Sequence, residues 1–386
     1  MQRAPAAQRI ALAPGILQIG QVHESAPGSQ AEALYRRAID RARTTGLHAA
    51  EPDLRQAALA GHHQAARAFF SLALRKANDG DYVRSFLEQL LASAASKPYA
   101  WLLGAEWHRF HSTPDDSIRW AEYLSNAYFA ALPDARALVS LYAQWQSRRA
   151  PPAEASASPE ALALWLGRCE KQWSPPAASV IAEGEGVRVT LARSFAPPAA
   201  LDFPLRQLTP HLAPTLVVDP RSGRRVAHPV RDASFAQWLP ELLGWHGKLL
   251  EQRLALAGGY PRECGEVTNL LRYVGGQAYR PHLDCLPRKA LDTAEGQVQG
   301  GQRLLTQLVG VLAPYAGGET YFEHLGVQVT LAPGDLLTFN NANGEGHPLA
   351  ASRHGGAPVA GGEKVIMSKW VRQTATPYGR ELAHTL

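Results

Sequence analysis

Tyr279-Arg280-Pro281-His282-Leu283-Asp284 carries an imidazole and a carboxylate two positions apart. Successive side chains on a strand point to opposite faces, so His282 and Asp284 share a face and can be presented to one point. Around this hexapeptide the chain breaks into short strand-like runs separated by glycines. They are Val267 to Val274 before it, and Arg303 to Leu312, Glu319 to Phe322, Val327 to Leu331, Asp335 to Phe339 and Lys364 to Arg372 after it. Further upstream, Gly186-Val187-Arg188-Val189-Thr190-Leu191 alternates as a strand does, and Phe235 to Leu256 has helical spacing. Several short strands with glycine turns after a helix predict a double-stranded β-helix, the jelly roll, flanked by helices.

Towards the N-terminus the texture is different. From about Ser29 to Gln146 the chain is rich in Ala, Leu and Arg, with apolar residues at three- and four-residue spacing, as in Leu34, Ala38, Ile39 and Ala42. Ala66-Arg67-Ala68-Phe69-Phe70-Ser71-Leu72 recurs as Ala135-Arg136-Ala137-Leu138-Val139-Ser140-Leu141, with a loose middle copy near Ala100-Trp101-Leu102-Leu103-Gly104. Gly61 and Pro133 sit where turns between helices belong. The segment resembles the tetratricopeptide and Sel1-like repeat class, and an ordinary bundle of Ala-rich helices is the plainer alternative. The expected organisation is an α+β multidomain chain. An N-terminal tail (1–28) precedes an all-α, solenoid-like helical repeat domain (29–146). A Pro/Ala linker (147–175) contains a short helix from Pro159 to Cys169, and the jelly-roll domain (176–376) ends in a C-terminal tail (377–386).

Composition limits the function classes. A chain of 386 residues with 46% hydrophobic and 19% charged residues has enough apolar material for folded cores and is no disordered or fibrous protein. The excess of 39 Lys and Arg over 34 Asp and Glu is small and dispersed, which argues against a nucleic-acid partner. Cys169, Cys264 and Cys285 are distant from one another and form no Cys-x-x-Cys pair, so a disulfide framework or structural zinc is not expected and a reducing, cytoplasmic setting fits. The apolar run Ile10 to Ile19 is broken by Pro14 and Gly15, so a signal peptide is not expected, nor is a membrane span.

Of the fourteen histidines, His324, His347 and His354 lie downstream of the His-x-Asp pair and could complete a two-histidine, one-carboxylate triad, which leaves three positions of Fe(II) open. Context separates them. Ten residues after His354 comes Lys364, at the start of a strand-like run, where its ammonium could pair with the far carboxylate of a metal-chelating dicarboxylate. The corresponding position after His347 is Ala357, and His347 lies in a glycine-rich loop that suits an exposed or lid position.

With these residues in place the sequence resembles the prolyl 4-hydroxylase family of Fe(II)- and 2-oxoglutarate-dependent dioxygenases. The likeness runs from Pro214 to Gln373, about 160 of the 386 residues. It rests on Arg272 to Tyr279 ahead of His282-x-Asp284, on Gly300-Gly301-Gln302-Arg303, on Gly317-Gly318-Glu319-Thr320-Tyr321-Phe322, on Pro333-Gly334-Asp335, and on His354 to Trp370. The resemblance implies that His282, Asp284 and His354 hold the iron, that Lys364 pairs with the C5 carboxylate of 2-oxoglutarate, and that Tyr273 stands beside that co-substrate. It places Tyr279, Arg303 and Trp370 at the substrate mouth, with dioxygen as the oxidant and ascorbate supporting activity. One departure stands out. Where relatives carry a tyrosine that helps hold the C5 carboxylate, this chain has Gly310, so Thr306 or a water is the expected substitute.

The expected reaction is hydroxylation of an unactivated C–H bond, with a proline-containing peptide or protein as substrate because collagen-type relatives join a tetratricopeptide-like domain to this catalytic domain. A small-molecule hydroxylase is the alternative within the same chemistry. A scaffold that has lost activity is the alternative outside it, and the intact His282, Asp284, His354 and Lys364 set argues against that.

Overall fold

Residues 30–75, 80–110, 119–171, 174–218, 225–227, 232–293, 298–313 and 315–385 are described by a computed structural model. The expected N-terminal tail, 1–28, lies outside them. Where apolar residues recur every three or four positions the chain is helical: α1 (Gln30–Thr45), α2 (Leu47–Leu59), α3 (His63–Arg75), α4 (Gly80–Ala92), α5 (Lys97–Phe110), α6 (Arg119–Phe129) and α7 (Pro133–Trp145). Gly61, at φ 92°, makes the turn between α2 and α3 in a left-handed conformation that a side chain would disfavour. Pro133 opens α7, where its fixed φ and missing N–H cost nothing.

The contacts divide the chain into two compact units, Met1–Gly104 and Ala105–Leu386, with the division inside α5. In the first unit Ala57, Ala65, Phe69, Phe70 and Phe86 are buried, and Asp53 ties Arg37 to Arg41 of α1. The second unit holds the remaining helices and every strand among the described residues. Its helices are α8 (Pro159–Lys171), α9 (Pro198–Leu208), α10 (Pro240–Gly258), α11 (Arg288–Leu291) and α12 (Pro377–Thr385). No described helix is long and apolar enough to cross a membrane.

The strands are all paired antiparallel, and most are short, β9 and β15 excepted. The first seven are β1 (Ser179–Gly184), β2 (Val187–Ala192), β3 (Ala213–Pro214), β4 (Leu216–Val218), β5 (Arg225–Ala227), β6 (Ser234–Trp238) and β7 (Thr268–Val274). Then come β8 (Tyr279–His282), β9 (Arg303–Leu312), β10 (Tyr315–Gly317), β11 (Thr320–Phe322), β12 (Val327–Val329), β13 (Leu336–Asn340), β14 (His354–Gly356) and β15 (Val359–Arg372). A nine-stranded sheet runs β1-β2-β13-β9-β15-β7-β6-β3 with β10 added beside β15, and a four-stranded sheet runs β12-β11-β14-β8. Leu271, Leu308 and Ile366 of the large sheet share one apolar core with Phe322 of the small sheet, as a two-layer jelly roll requires.

The period of two explains the faces. On β15, Lys364, Ile366, Ser368 and Trp370 line the interior cavity, while the intervening Lys369 reaches the other face and meets Glu251 of α10 at 2.5 Å. Gln307 of β9 likewise donates to the Leu254 carbonyl of α10. This helix therefore seals the outer face of the large sheet. Helical spacing predicts a helix from Phe235, yet Phe235 to Trp238 belong to β6. The cause is Pro240, which pushes Leu239 to an extended conformation (φ −65°, ψ 153°) and lets the helix start only at the proline. The C-terminal residues expected as a tail form α12, where Thr376 accepts the Gly379 N–H and Leu382 is fully buried.

Gly310 lies mid-strand in β9, and a Cβ there would fall 2.3 Å from the Ala332 carbonyl oxygen. The Ala332–Asp335 turn clasps it on both sides, through Gly310 N–H to Asp335 O and Gly334 N–H to Gly310 O. Overpacking a rigid backbone contact of this kind costs about 2 kcal/mol or more. Gly310→Ala is expected to lower unfolding free energy by that amount in a urea titration; an unchanged midpoint would show that the turn yields easily.

Candidate functional site

The site starts with a strand pair. In the β8–β14 ladder His282 and His354 are Cα partners, and their rings approach to 4.4 Å between centroids. Each imidazole is turned by its own backbone: Nδ1 of His282 meets the Arg280 carbonyl and Nδ1 of His354 the Ser352 carbonyl, both at 2.9 Å. A carbonyl only accepts, so each Nδ1 carries the proton and each Nε2 presents a lone pair.

Asp284 lies just past the end of β8. Its Oδ1 is 3.4 Å from His282 Nε2 and its Oδ2 is 3.6 Å from His354 Nε2. The three ligand atoms fall within 4.8 Å of one another, and no other cluster of this kind occurs among the described residues. His282 Nε2 is buried with no hydrogen-bond partner. A buried, unprotonated nitrogen facing a carboxylate and a second such nitrogen is a cation site in its donor chemistry, and the set fits Fe(II). Burial pushes the Asp284 carboxyl up, but His354, His282 and the Thr306 hydroxyl outweigh it and hold the group well below the usual carboxylate range. Burial lowers the His354 imidazole against the pull of the Asp284 carboxylate, which favours the neutral form that can ligate.

Across the cavity stands Lys364, 4% exposed, beside its Cα partner Tyr273 on β7. Its ammonium donates to the Gly318 carbonyl at 2.5 Å and lies 3.5 Å from Thr320 Oγ1. Burial brings it down to about 8, with Glu319 opposing the shift. The other buried lysine of this strand, Lys369, has the Glu251 carboxylate against it. Lys364 has polar oxygens but no carboxylate at ion-pair distance, and it faces a cavity lined by Leu271, Leu308 and Ile366. Such a group suits an anionic ligand.

The structure brings His282, Asp284, His354, Lys364, Tyr273, Tyr279 and Trp370 to this one cavity. Tyr279 stacks on His282 with centroids 3.6 Å apart. Thr306 stands elsewhere than its expected role requires: its hydroxyl is engaged by the Asp284 carboxylate at 2.7 Å, and it does not line the cavity. Arg303 forms a bidentate pair with Glu266 and stacks on Trp370 at 3.7 Å, with Arg372 on the same carboxylate. His347 is exposed and pairs with Glu345 at 3.2 Å, and His324 is exposed. Sequence reasoning missed Thr320, Asn341 and Glu266 as members of the site. Thr320 lies within the quoted Gly317 to Phe322 run but was given no role, although its place on the inner face of β11 was readable from the period of two.

The profile of the 2OG-Fe(II) oxygenase superfamily matches residues 268–372, the span that contains His282, Asp284, His354 and Lys364. Among curated proteins, "Prolyl 4-hydroxylase 1" of Arabidopsis thaliana is 31% identical over 204 residues, which cover 49% of this chain and 70% of that protein. "Prolyl 4-hydroxylase 13" of the same plant is 33% identical over 138 residues, covering 32% of this chain and 48% of the other. A solved viral collagen prolyl hydroxylase from Paramecium bursaria Chlorella virus-1 aligns over 47% of this chain and 94% of its own, at 21% identity and a TM-score of 0.37.

Exchange of the ligands separates the histidines. His354→Ala is expected to weaken Fe(II) binding at least about 100-fold and His347→Ala to leave it unchanged, as read by anaerobic Fe(II) titration. Retention of iron by His354→Ala would overturn the ligand assignment.

Proposed function

This chain belongs to the prolyl 4-hydroxylase-like 2OG-Fe(II) oxygenases, and from that premise we propose that it hydroxylates a proline residue of a peptide or protein while 2-oxoglutarate is decarboxylated to succinate. The observation that carries the reading is the convergence of two Nε2 lone pairs and one carboxylate opposite a buried lysine that has no carboxylate at ion-pair distance. Charge closes within this set: Fe(II), the Asp284 carboxylate, the Lys364 ammonium and a 2-oxoglutarate dianion sum to zero, as a buried site demands.

When bound, iron supplies the activation of dioxygen that C–H hydroxylation needs, with 2-oxoglutarate as the electron source. His282, Asp284 and His354 would hold it. Lys364 and the Thr320 hydroxyl would hold the far carboxylate of 2-oxoglutarate, with Tyr273 beside it, in place of the donor that Gly310 cannot carry. Leu271, Leu308 and Ile366 exclude water from the co-substrate. At the mouth, Tyr279 and Trp370 offer aromatic faces to a saturated ring, and Arg303, braced by Glu266, backs the indole.

Peptide substrates also suit the helices ahead of the oxygenase domain. The starts of α3 at His63, α5 at Lys97 and α7 at Pro133 recur at near-regular spacing along the sequence, which supports the tetratricopeptide-like reading of this region. Three free cysteines suit a reducing, cytoplasmic setting.

Mass spectrometry of lysate peptides treated with the protein, Fe(II), ascorbate and 2-oxoglutarate is expected to show the gain of one oxygen on proline. Turnover of a free amino acid alone would replace the peptide reading by the small-molecule one.

The lysine adds a pH dependence. Because the free protein loses the Lys364 proton near pH 8 and the anion needs the ammonium, binding above that pH must take up a proton. The KM for 2-oxoglutarate is expected to be flat below pH 8 and to rise about tenfold per unit above it. Lys364→Met should raise KM and abolish this slope; a slope that survives the exchange would assign it to another group.

A further inference from the structure

Behind the ligand carboxylate runs a chain of donors that the ligand set does not itself require. Asn341 Nδ2 donates to Thr306 Oγ1 at 2.8 Å, and Thr306 Oγ1 donates to Asp284 Oδ2 at 2.7 Å. All three side chains are buried. Strand register builds the relay: β13 pairs with β9 so that Asn340 faces Leu305, and the Asn341 N–H continues the ladder to the Leu304 carbonyl. Asn341 is thereby held beside Thr306.

The direction of the relay follows from proton inventory. A hydroxyl has one proton, and once an amide N–H occupies one of its lone pairs that proton goes to the best acceptor in reach, here a carboxylate. Such an O–H···O⁻ bond is about twice as strong as a neutral one, and the amide polarises it further. The Asn341 amide oxygen has no partner, so the amide acts here as a donor alone. Asp284 Oδ2, 3.6 Å from His354 Nε2, is consequently tied into the large sheet by the shorter Thr306 bond, while Oδ1 faces His282 Nε2 at 3.4 Å.

We propose that Thr306, oriented by Asn341, is a positioning residue that commits Asp284 to the metal through Oδ1 alone and so keeps one position open for the co-substrate. A carboxylate free to rotate can chelate with both oxygens, and the second oxygen would take a position that 2-oxoglutarate or dioxygen needs. The inference rests on the reading of His282, Asp284 and His354 as the Fe(II) site.

The test uses the full chain with Thr306→Val, which keeps the volume and removes the hydroxyl, Thr306→Ser, which restores it, and Asn341→Leu. Fe(II) affinity is read by anaerobic titration, and 2-oxoglutarate affinity by the visible charge-transfer band that forms when it chelates the bound Fe(II). Thr306→Val is expected to hold Fe(II) within about threefold of the wild type yet to need about tenfold more 2-oxoglutarate, the scale of an outer hydrogen-bond loss at a metal site. Thr306→Ser should return to wild-type behaviour, and Asn341→Leu should shift in the direction of Thr306→Val. A band at wild-type 2-oxoglutarate concentration in Thr306→Val, or equal loss in the Ser and Val variants, overturns the proposal. Should Thr306→Val not fold, wild-type behaviour of Asn341→Leu overturns it. Failure of the wild-type chain to bind Fe(II) would instead sink the metal reading beneath it.

Discussion

The register of β8 against β14 is the constraint on which the site depends. It makes His282 and His354 Cα partners, and the carbonyls of Arg280 and Ser352 then fix both rings in the same tautomer. Because strand side chains alternate with a period of two, a slip of one residue would send one imidazole out of the site. Asp284, beyond the strand end, is bonded to Thr306 of the large sheet. The donor set sits on the small sheet and is anchored to the large one through Thr306, so whatever holds the layers together also holds the ligand geometry.

What holds the large sheet on its outer side is α10. Lys369 and Thr268 both meet Glu251 of this helix at 2.5 Å, and Lys248 further along it meets Glu106 at 3.1 Å, all four charged groups being buried. Breaking either pair from one side would leave an uncompensated buried charge at a cost of about 3–5 kcal/mol. Strand β15 thus carries two buried lysines with opposite logic. The outward one, Lys369, is neutralised within the protein and is structural. The inward one, Lys364, meets a carbonyl and a hydroxyl at the cavity wall and has no carboxylate at ion-pair distance.

Much of this was legible in the sequence. Short runs such as Arg303 to Leu312 are strands because alternation and glycine spacing are local properties, and β9 has those bounds. The His282, Asp284, His354 and Lys364 set was readable from the His-x-Asp face, the lysine ten residues after His354 and the family resemblance together. Other parts were not. Phe235 to Trp238 has apolar spacing compatible with a helix; Pro240 marks where the helix must start, but that the residues before it form a strand is set by pairing with β7, a tertiary fact. Thr306 and Arg303 could be named but not assigned partners: the choice between facing the cavity and bonding Asp284 or Glu266 is set by distances of 2.7–2.8 Å that no local pattern reveals. Asn341 escaped notice for the same reason, since its neighbour Thr306 comes from another strand.

Gly310 shows how a single backbone contact limits what a strand can offer to its cavity. The space a side chain would need there is filled by the Ala332 carbonyl, so β9 cannot furnish a donor at this position at all. A hydroxyl 3.5 Å from the Lys364 ammonium comes from Thr320 on the opposite sheet. On the proposed reading, 2-oxoglutarate would then be gripped at its far end by β15 of one layer and β11 of the other, and at its near end by a metal whose ligands also bridge the layers through Asp284 and Thr306. A co-substrate bound in this way is a cross-link between the two sheets. Because it binds only the folded arrangement, its binding energy adds to the stability of the sandwich by mass action. On that reading the ligand itself is part of the packing between the sheets.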